Sequence, residues 1–322
     1  MTQPVAEITG LAKHFPVKRG FLQRTVATVR AVDGISLTIA AGETLCLVGE
    51  SGCGKSTVGR LVLRLLEPTA GQIRLRGVDV THLSETAMRP HRRHAQMVFQ
   101  DPYASLNPRL PAGTIVGEPL ENYGDVSEAD RLAKVAALLE RVGLRADAMN
   151  RYAFEFSGGQ RQRLGIARAL ALDPGMIVAD EAVSALDVSV QAQVLNLLMD
   201  LQEERGLAFL FISHDLGVVE HIGHRIAVMY LGQIVEIADK TDIFDRPLHP
   251  YTEALIAAAP IADPRSKRTR IVLEGDIPSP MNPPSGCRFH TRCPIAEARC
   301  RVDVPALRDL GGRSVACHLR GA

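Results

Sequence analysis

Residues 45–66 read LCLVGESGCGKSTVGRLVLRLL. Four apolar residues, a glycine-rich turn and a leucine-periodic run spell a strand, a loop and a helix in immediate succession. The turn, GESGCGKST from Gly49 to Thr57, matches G-x-x-x-x-G-K-[ST], the phosphate-loop pattern, and stands in the strand-to-helix context that its chemistry needs. Gly49, Gly52 and Gly54, with Ser51 between them, let backbone N–H groups close around phosphate oxygens. Lys55 supplies positive charge to the β and γ oxygens, Ser56 a hydroxyl for Mg²⁺, and Thr57 lies in a helix start whose dipole favours anions. A chain of this length produces the pattern by chance about one time in a hundred, so an ordinary glycine turn is the weaker reading.

Further along, MIVADE (residues 176–181) is an apolar strand ending in two carboxylates. Asp180 at its end can hold Mg²⁺ through water, and Glu181 can polarise an attacking water. Strands often end in solvated acids, so the pair gains meaning from following a phosphate loop at crossover distance. Alternation in residues 32–39 (VDGISLTI), the helical period of 190–201 and the apolar run 207–212 complete a pattern of strands alternating with helices. That pattern predicts an α/β fold with a parallel sheet. Residues of roughly 102–165 read as an inserted helical subdomain, clearest over 129–142. The last strands are 225–230 and 233–237, joined by a turn at Gly232. From about residue 241 the composition changes, and Pro278, Pro280, Pro283 and Pro284 mark an appendage.

The chain has 322 residues, 46% of them hydrophobic, enough for about two domains with a sizeable core. Its 37 Lys+Arg against 36 Asp+Glu leave a formal charge of +1, which argues against charge-driven binding to nucleic acid. The apolar stretch 254–262, broken by Pro260, is too short to span a bilayer, and the N-terminus lacks a secretory pattern; both point to the cytoplasm. Six cysteines in a reducing compartment are expected as thiols or ligands. Cys53, inside the loop, could be imagined as a nucleophile, but a small residue is needed there and no base is paired with it.

At this point the residues carry a family resemblance. FSGGQRQR (156–163) resembles the signature motif of the ATP-binding cassette (ABC) ATPases and precedes the carboxylate strand by some twenty residues, as in that family. Gln100 in VFQDP resembles the family's Q-loop glutamine, SALD (184–187) its D-loop, His214 in FISHD its switch histidine, and Phe15 the aromatic that stacks on adenine. DPYASLNPR (101–109), HPYT (249–252) and PSPMNPPSGCRFHTRCP (278–294) narrow the likeness to oligopeptide/dipeptide importer ATPases, and GGQRQR to the second of their two paired subunits. Phe156 stands where many members have leucine, and Ala182 where proline is common.

The resemblance implies a P-loop ABC-type nucleotide-binding domain: a RecA-like parallel-sheet core, an N-terminal antiparallel β subdomain, the inserted helical subdomain and a Cys-containing C-terminal extension. The boundary is expected between residues 1–240 and 241–322. It also implies ATP and Mg²⁺ as ligands, Ser56, Gln100 and Asp180 serving the metal and Glu181, His214 and Gln100 the hydrolysis. Ser157, Gly158, Gly159, Gln160 and Asp187 would face the ATP of a partner. Implied partners are a second ATPase subunit in a head-to-tail dimer, expected from the resemblance to be a heterodimer, two membrane permeases contacted through the helical insert, and, indirectly, an extracytoplasmic solute-binding protein. The implied location is peripheral, on the cytoplasmic face of the inner membrane, and the work is uptake of di- or oligopeptides. The rival, a soluble ABC ATPase of nucleic-acid repair or translation, usually carries two cassettes or special insertions. A purely regulatory nucleotide-binding module is disfavoured by an intact Glu181 and His214.

Cys287, Cys293, Cys300 and Cys317 follow C-x5-C-x6-C-x16-C. Zinc sites usually contain a closer C-x2-4-C pair, although His290 or His318 could replace a thiolate. Four thiolates suit a [4Fe–4S] cluster, which some importer ATPases with a similar tail carry, so the cluster ranks above zinc; four plain reduced thiols are the competing reading.

Overall fold

The structure, a computed structural model, describes residues 3–21, 24–124, 126–259, 273 and 275–320. The chain begins with strands β1 (Ala6–Arg19), β2 (Arg24–Ile39) and β3 (Thr44–Val48), helix α1 (Lys55–Val62), and strands β4 (Ala70–Leu75) and β5 (Val78–Asp79). Helix α2 (Glu85–Arg92), strand β6 (Ala95–Val98), helices α3 (Pro102–Ser105), α4 (Ala112–Tyr123), α5 (Glu128–Arg141) and α6 (Gly158–Leu170), strand β7 (Met176–Asp180) and helix α7 (Val188–Arg205) follow. Strand β8 (Ala208–Ile212), helix α8 (Leu216–Ile222), strands β9 (Arg225–Tyr230) and β10 (Gln233–Asp239), helices α9 (Lys240–Asp245) and α10 (Pro250–Ala258), and strands β11 (Arg308–Asp309) and β12 (Ser314–Val315) complete it.

These elements form two compact units. The first, called the helical unit, comprises Met1–Val5, Ala40–Glu43 and Leu83–Phe211. In it β6 and β7 pair in parallel with Val98 opposite Ala179, so the residues just beyond both strand ends emerge side by side. Helix α6 packs against α3, α4 and α5, α7 and β6. Its interior is apolar: Leu164, Ile166, Ala167 and Leu170 are buried from α6, and Ile115, Val116, Leu138 and Leu139 from the helices it meets. Helix α5 starts where Ser127 accepts a hydrogen bond from the Asp130 N–H at 3.2 Å, satisfying an amide that would otherwise have no partner within the helix.

The second, the phosphate-loop unit, comprises Ala6–Ile39, Thr44–His82 and Ile212–Ala322. One antiparallel sheet in it runs β2-β1-β4-β5, and a second set runs β11-β12-β10-β9-β3, with β9 and β3 parallel. Every residue of β3 is buried, as a strand covered on both faces requires. A two-residue turn, Leu231–Gly232, joins β9 to β10, both residues at positive φ, which matches the twist of a tight hairpin. Helix α1 stops at Val62, short of the leucine period that runs to Leu66. Arg64 turns left-handed there (φ 52°), and its Nε donates to the Val80 carbonyl at 3.0 Å. Residues past 240 add β12 to the edge of β10 and belong to the same unit as the glycine-rich loop. Of the apolar stretch 254–262, the part beyond residue 259 lies outside the described residues.

Candidate functional site

In the phosphate-loop unit, β3 delivers Gly49 at φ 150°, followed by Gly52 at 79° and Gly54 at 111°. A Cβ at Gly49 would overlap the Met229 carbonyl, and one at Gly54 the Ala31 carbonyl, so the loop is pressed against backbone on two sides. Gly54 caps α1 without a side chain, which leaves the helix start to backbone amides, the arrangement that anions select. Lys55, 5% exposed, donates from Nζ to the carbonyls of Gly49 (2.7 Å) and Glu50 (3.0 Å), which holds its charge over the loop. Ser51 and Gly52 are exposed, and Ser56 and Thr57 half-buried on the first turn of the helix. Cys53 is buried, and burial pushes its thiol pKa up; it stays protonated, as packing rather than chemistry.

His214 is exposed beyond β8, where the Ser213 N–H donates to the Leu47 carbonyl of β3 at 3.3 Å. Asp215 then caps α8 by accepting from the Gly217 N–H at 2.9 Å. Phe15 lies on β1 opposite Val29, 36% exposed, with the Lys13 ammonium 5.2 Å from its ring centre.

In the helical unit, the Gln100 amide donates to Glu181 Oε2 at 2.8 Å, a pairing that the β6/β7 register sets up. Asp180 is 4% exposed at the end of β7. Glu181 has φ 47°, a left-handed conformation that costs a non-glycine residue about 1–2 kcal/mol. The turn is closed by the Ser184 N–H and hydroxyl, both donating to the Glu181 carbonyl (3.1 and 3.0 Å), and Ala182 is buried beneath it. No proline is needed to hold it.

Ser157 caps α6: its hydroxyl accepts from the Gln160 N–H at 3.4 Å, while Gln160 Oε1 accepts from the Ser157 N–H at 3.0 Å. This capping box engages the Gln160 side chain locally. A Cβ at Gly158 would meet open space, whereas one at Gly159 would overlap the Val190 side chain of α7. Phe156 is buried with the Arg151 guanidinium 4.5 Å from its ring centre, so the larger ring in place of leucine is accommodated. Asp187 is exposed and precedes α7 without a side-chain bond into it.

The four tail cysteines are unpaired thiols. Burial raises the Cys287 pKa to about 11, helped by the neighbouring Cys300, Cys293 and Cys317. His290 Nδ1 bonds the Cys287 carbonyl (2.8 Å) and His318 Nε2 the Asp303 carbonyl (3.0 Å). Among the described residues no three His, Cys, Asp or Glu side chains gather to hold a metal ion, so neither the [4Fe–4S] expectation nor the zinc alternative meets a preformed ligand set here.

Reasoning from sequence missed the partners of Glu50. Arg292 donates to its carboxylate and Tyr251 accepts from its N–H, across more than 200 residues of chain, and neither pairing has a local signal.

The ABC transporter family matches residues 32–184, and the oligopeptide/dipeptide transporter C-terminal region matches 235–300. A probable peptide ABC transporter ATP-binding protein, y4tS of Sinorhizobium fredii, is 58% identical, covering 99% of this chain and 91% of the relative. The oligopeptide transport ATP-binding protein AppF of Bacillus subtilis is 53% identical, covering 98% of both. Among solved structures, the ATP-binding cassette MJ0796, a dimer in a post-hydrolysis state bound to ADP and Pi, is 29% identical with a TM-score of 0.66, covering 73% of this chain and 98% of that one. A glycine-rich loop between a buried strand and a helix without a side-chain cap, and near full-length kinship with such proteins, lead to one statement: the chain belongs to the ABC transporter family, as an ATP-binding subunit with the oligopeptide/dipeptide-type C-terminal region.

Proposed function

We propose that this chain hydrolyses ATP to energise uptake of di- or oligopeptides, working on the cytoplasmic face of the inner membrane. The observation that carries the reading is the presence in one chain of the phosphate loop and the oligopeptide/dipeptide C-terminal region. Among the described residues no helix is long and apolar enough to cross a membrane, so membrane partners would supply the passage. The soluble nucleic-acid ATPase is not favoured, because its class gives no reason for that C-terminal region.

Gly49 to Thr57 would wrap the phosphates, and Phe15 would stack on the base. Ser56, Asp180 and Gln100 would hold Mg²⁺, which when bound neutralises charge between the β and γ oxygens. Glu181 would orient the attacking water and His214 contact the γ-phosphate. Ser157, Gly158, Gly159, Gln160 and Asp187 would complete the site of a second subunit in a head-to-tail dimer, a paralogous one by the resemblance to paired subunits; MJ0796 lends the dimer precedent. The helical subdomain (about 102–165) carries exposed Tyr103, Tyr152 and Phe154, the last two stacked at 5.7 Å, and exposed Phe99 adjoins it beside Gln100, a surface that would receive a coupling helix of a permease. Residues 1–240 would act as the ATPase and 241–322 as the extension, with a solute-binding protein delivering cargo outside.

Reconstitution with the permeases and second ATPase subunit tests this: peptide-loaded binding protein is expected to stimulate ATP hydrolysis. Hydrolysis that responds to DNA or ribosomes but not to peptide-loaded binding protein would overturn it. For the tail we propose, on the C-x5-C-x6-C-x16-C spacing and the family resemblance alone, that Cys287, Cys293, Cys300 and Cys317 would supply thiolates to a [4Fe–4S] cluster ahead of zinc. Anaerobically purified protein should be brown with about four irons per chain; metal-free protein with four titrating thiols removes the cluster.

A further inference from the structure

The extension grips the phosphate loop of its own unit. The Arg292 guanidinium, its side chain 8% exposed, donates from Nη1 to both Glu50 carboxylate oxygens (3.1 and 2.9 Å) and from Nη2 to Oε1 (3.2 Å). Glu50 is the second residue of the loop, and its own N–H donates to the Tyr251 hydroxyl at 2.9 Å. Tyr251 is fully buried in a cluster with Tyr230 and Phe289, ring centres 4.7 and 5.5 Å away. Four residues before Arg292, Arg288 donates to the Leu231 carbonyl and to Asp33, and Asp33 bonds His14, the neighbour of Phe15.

An ion pair that merely docked the extension would be worth little on an open surface. This one is forked and largely enclosed, and it ends on a residue whose backbone neighbours would wrap a triphosphate. A carboxylate there, left unpaired, would repel that anion. We propose that Arg292, with Tyr251, is a positioning residue for ATP: it fixes the second residue of the phosphate loop and neutralises the carboxylate that would otherwise face the substrate. The proposal rests on Gly49 to Thr57 being the nucleotide site.

The test measures ATP affinity of the full chain by calorimetry, and KM and kcat in the reconstituted transporter. Arg292→Gln is expected to weaken ATP binding and raise KM about tenfold, the scale of one lost charged hydrogen-bond pair, with kcat little changed. Adding Glu50→Gln to Arg292→Gln removes the unpaired charge and is expected to restore most of the affinity, which mending a loosened fold would not do. Arg292→Lys, keeping charge and losing the fork, should fall between. Unchanged affinity in Arg292→Gln, or a double variant no better than the single, overturns the proposal. Lys55→Ala is measured alongside: if it leaves ATP affinity intact, the nucleotide-site reading itself fails instead.

Discussion

Two strand–turn–helix units, β3 to α1 and β7 to α7, solve the same problem in opposite ways. Both begin with a fully buried five-residue strand and both leave it through left-handed backbone. In the first, glycines occupy those positions, so the turn offers backbone amides and no side-chain obstruction. In the second, the strained position is Glu181 itself, held by Ser184 and Gln100. Where the proposed chemistry would use the main chain, glycine removes the strain; where it would use a carboxylate, the strain is kept and braced.

The sharpest break in this comparison is Glu181→Gln. It preserves shape and removes the charge that would orient water, so turnover should fall about 10²- to 10³-fold with MgATP still bound. Near-normal turnover in steady-state assays would mean that the braced turn serves packing. On the other side, Gly49→Ala forces a methyl onto the Met229 carbonyl at φ 150° and should destabilise the fold by about 2–3 kcal/mol in denaturant melts. A neutral result would remove the claim that this glycine is required by close approach.

Acid should act on the phosphate-loop unit selectively. Burial pushes the His249 imidazole down to about 3, and its Nδ1 accepts from the Tyr251 N–H at 3.1 Å. Glu236, accepting from the His249 N–H, and Arg313, paired with Glu236, are the charged groups beside it. An unfolded histidine takes up its proton near pH 6.5, the folded one only near 3, so stability is fully present above about 6.5 and is lost as pH falls through that window. Thermal melts from pH 7.5 to 5 should decline, and His249→Gln should flatten the decline; an unchanged slope assigns it elsewhere. The smallest effect expected is Ser157→Ala, about 1 kcal/mol from the lost cap of α6, read by melting.

Local and tertiary features also differ in how far sequence discloses them. β3, the loop and the strands at 225–230 and 176–180 are local: apolar runs punctuated by glycine or acid, with neighbours in the chain deciding the conformation. The early stop of α1 was hidden because Arg64 reverses the chain to reach Val80, a tertiary contact that overrides leucine periodicity. β1, with its bulged register against β2, carries charge through its outer half and lacks clean alternation. The partners of Glu50 are the extreme case, because Arg292 is one arginine among many until folding brings it there.

The Leu231–Gly232 turn has a consequence for modularity. Gly232 donates to the Cys53 carbonyl of the phosphate loop and accepts from the Asp33 N–H, while Leu231 accepts from Arg288 of the extension. One hairpin tip thus ties together the loop, the outer sheet and the tail. The extension is therefore not a detachable tag: a chain cut after residue 240, or a cassette grafted onto a foreign tail, inherits a loop carboxylate and a turn carbonyl made to be covered. Shuffling these parts between transporters is expected to succeed only when Glu50, the tip and the two arginines travel together.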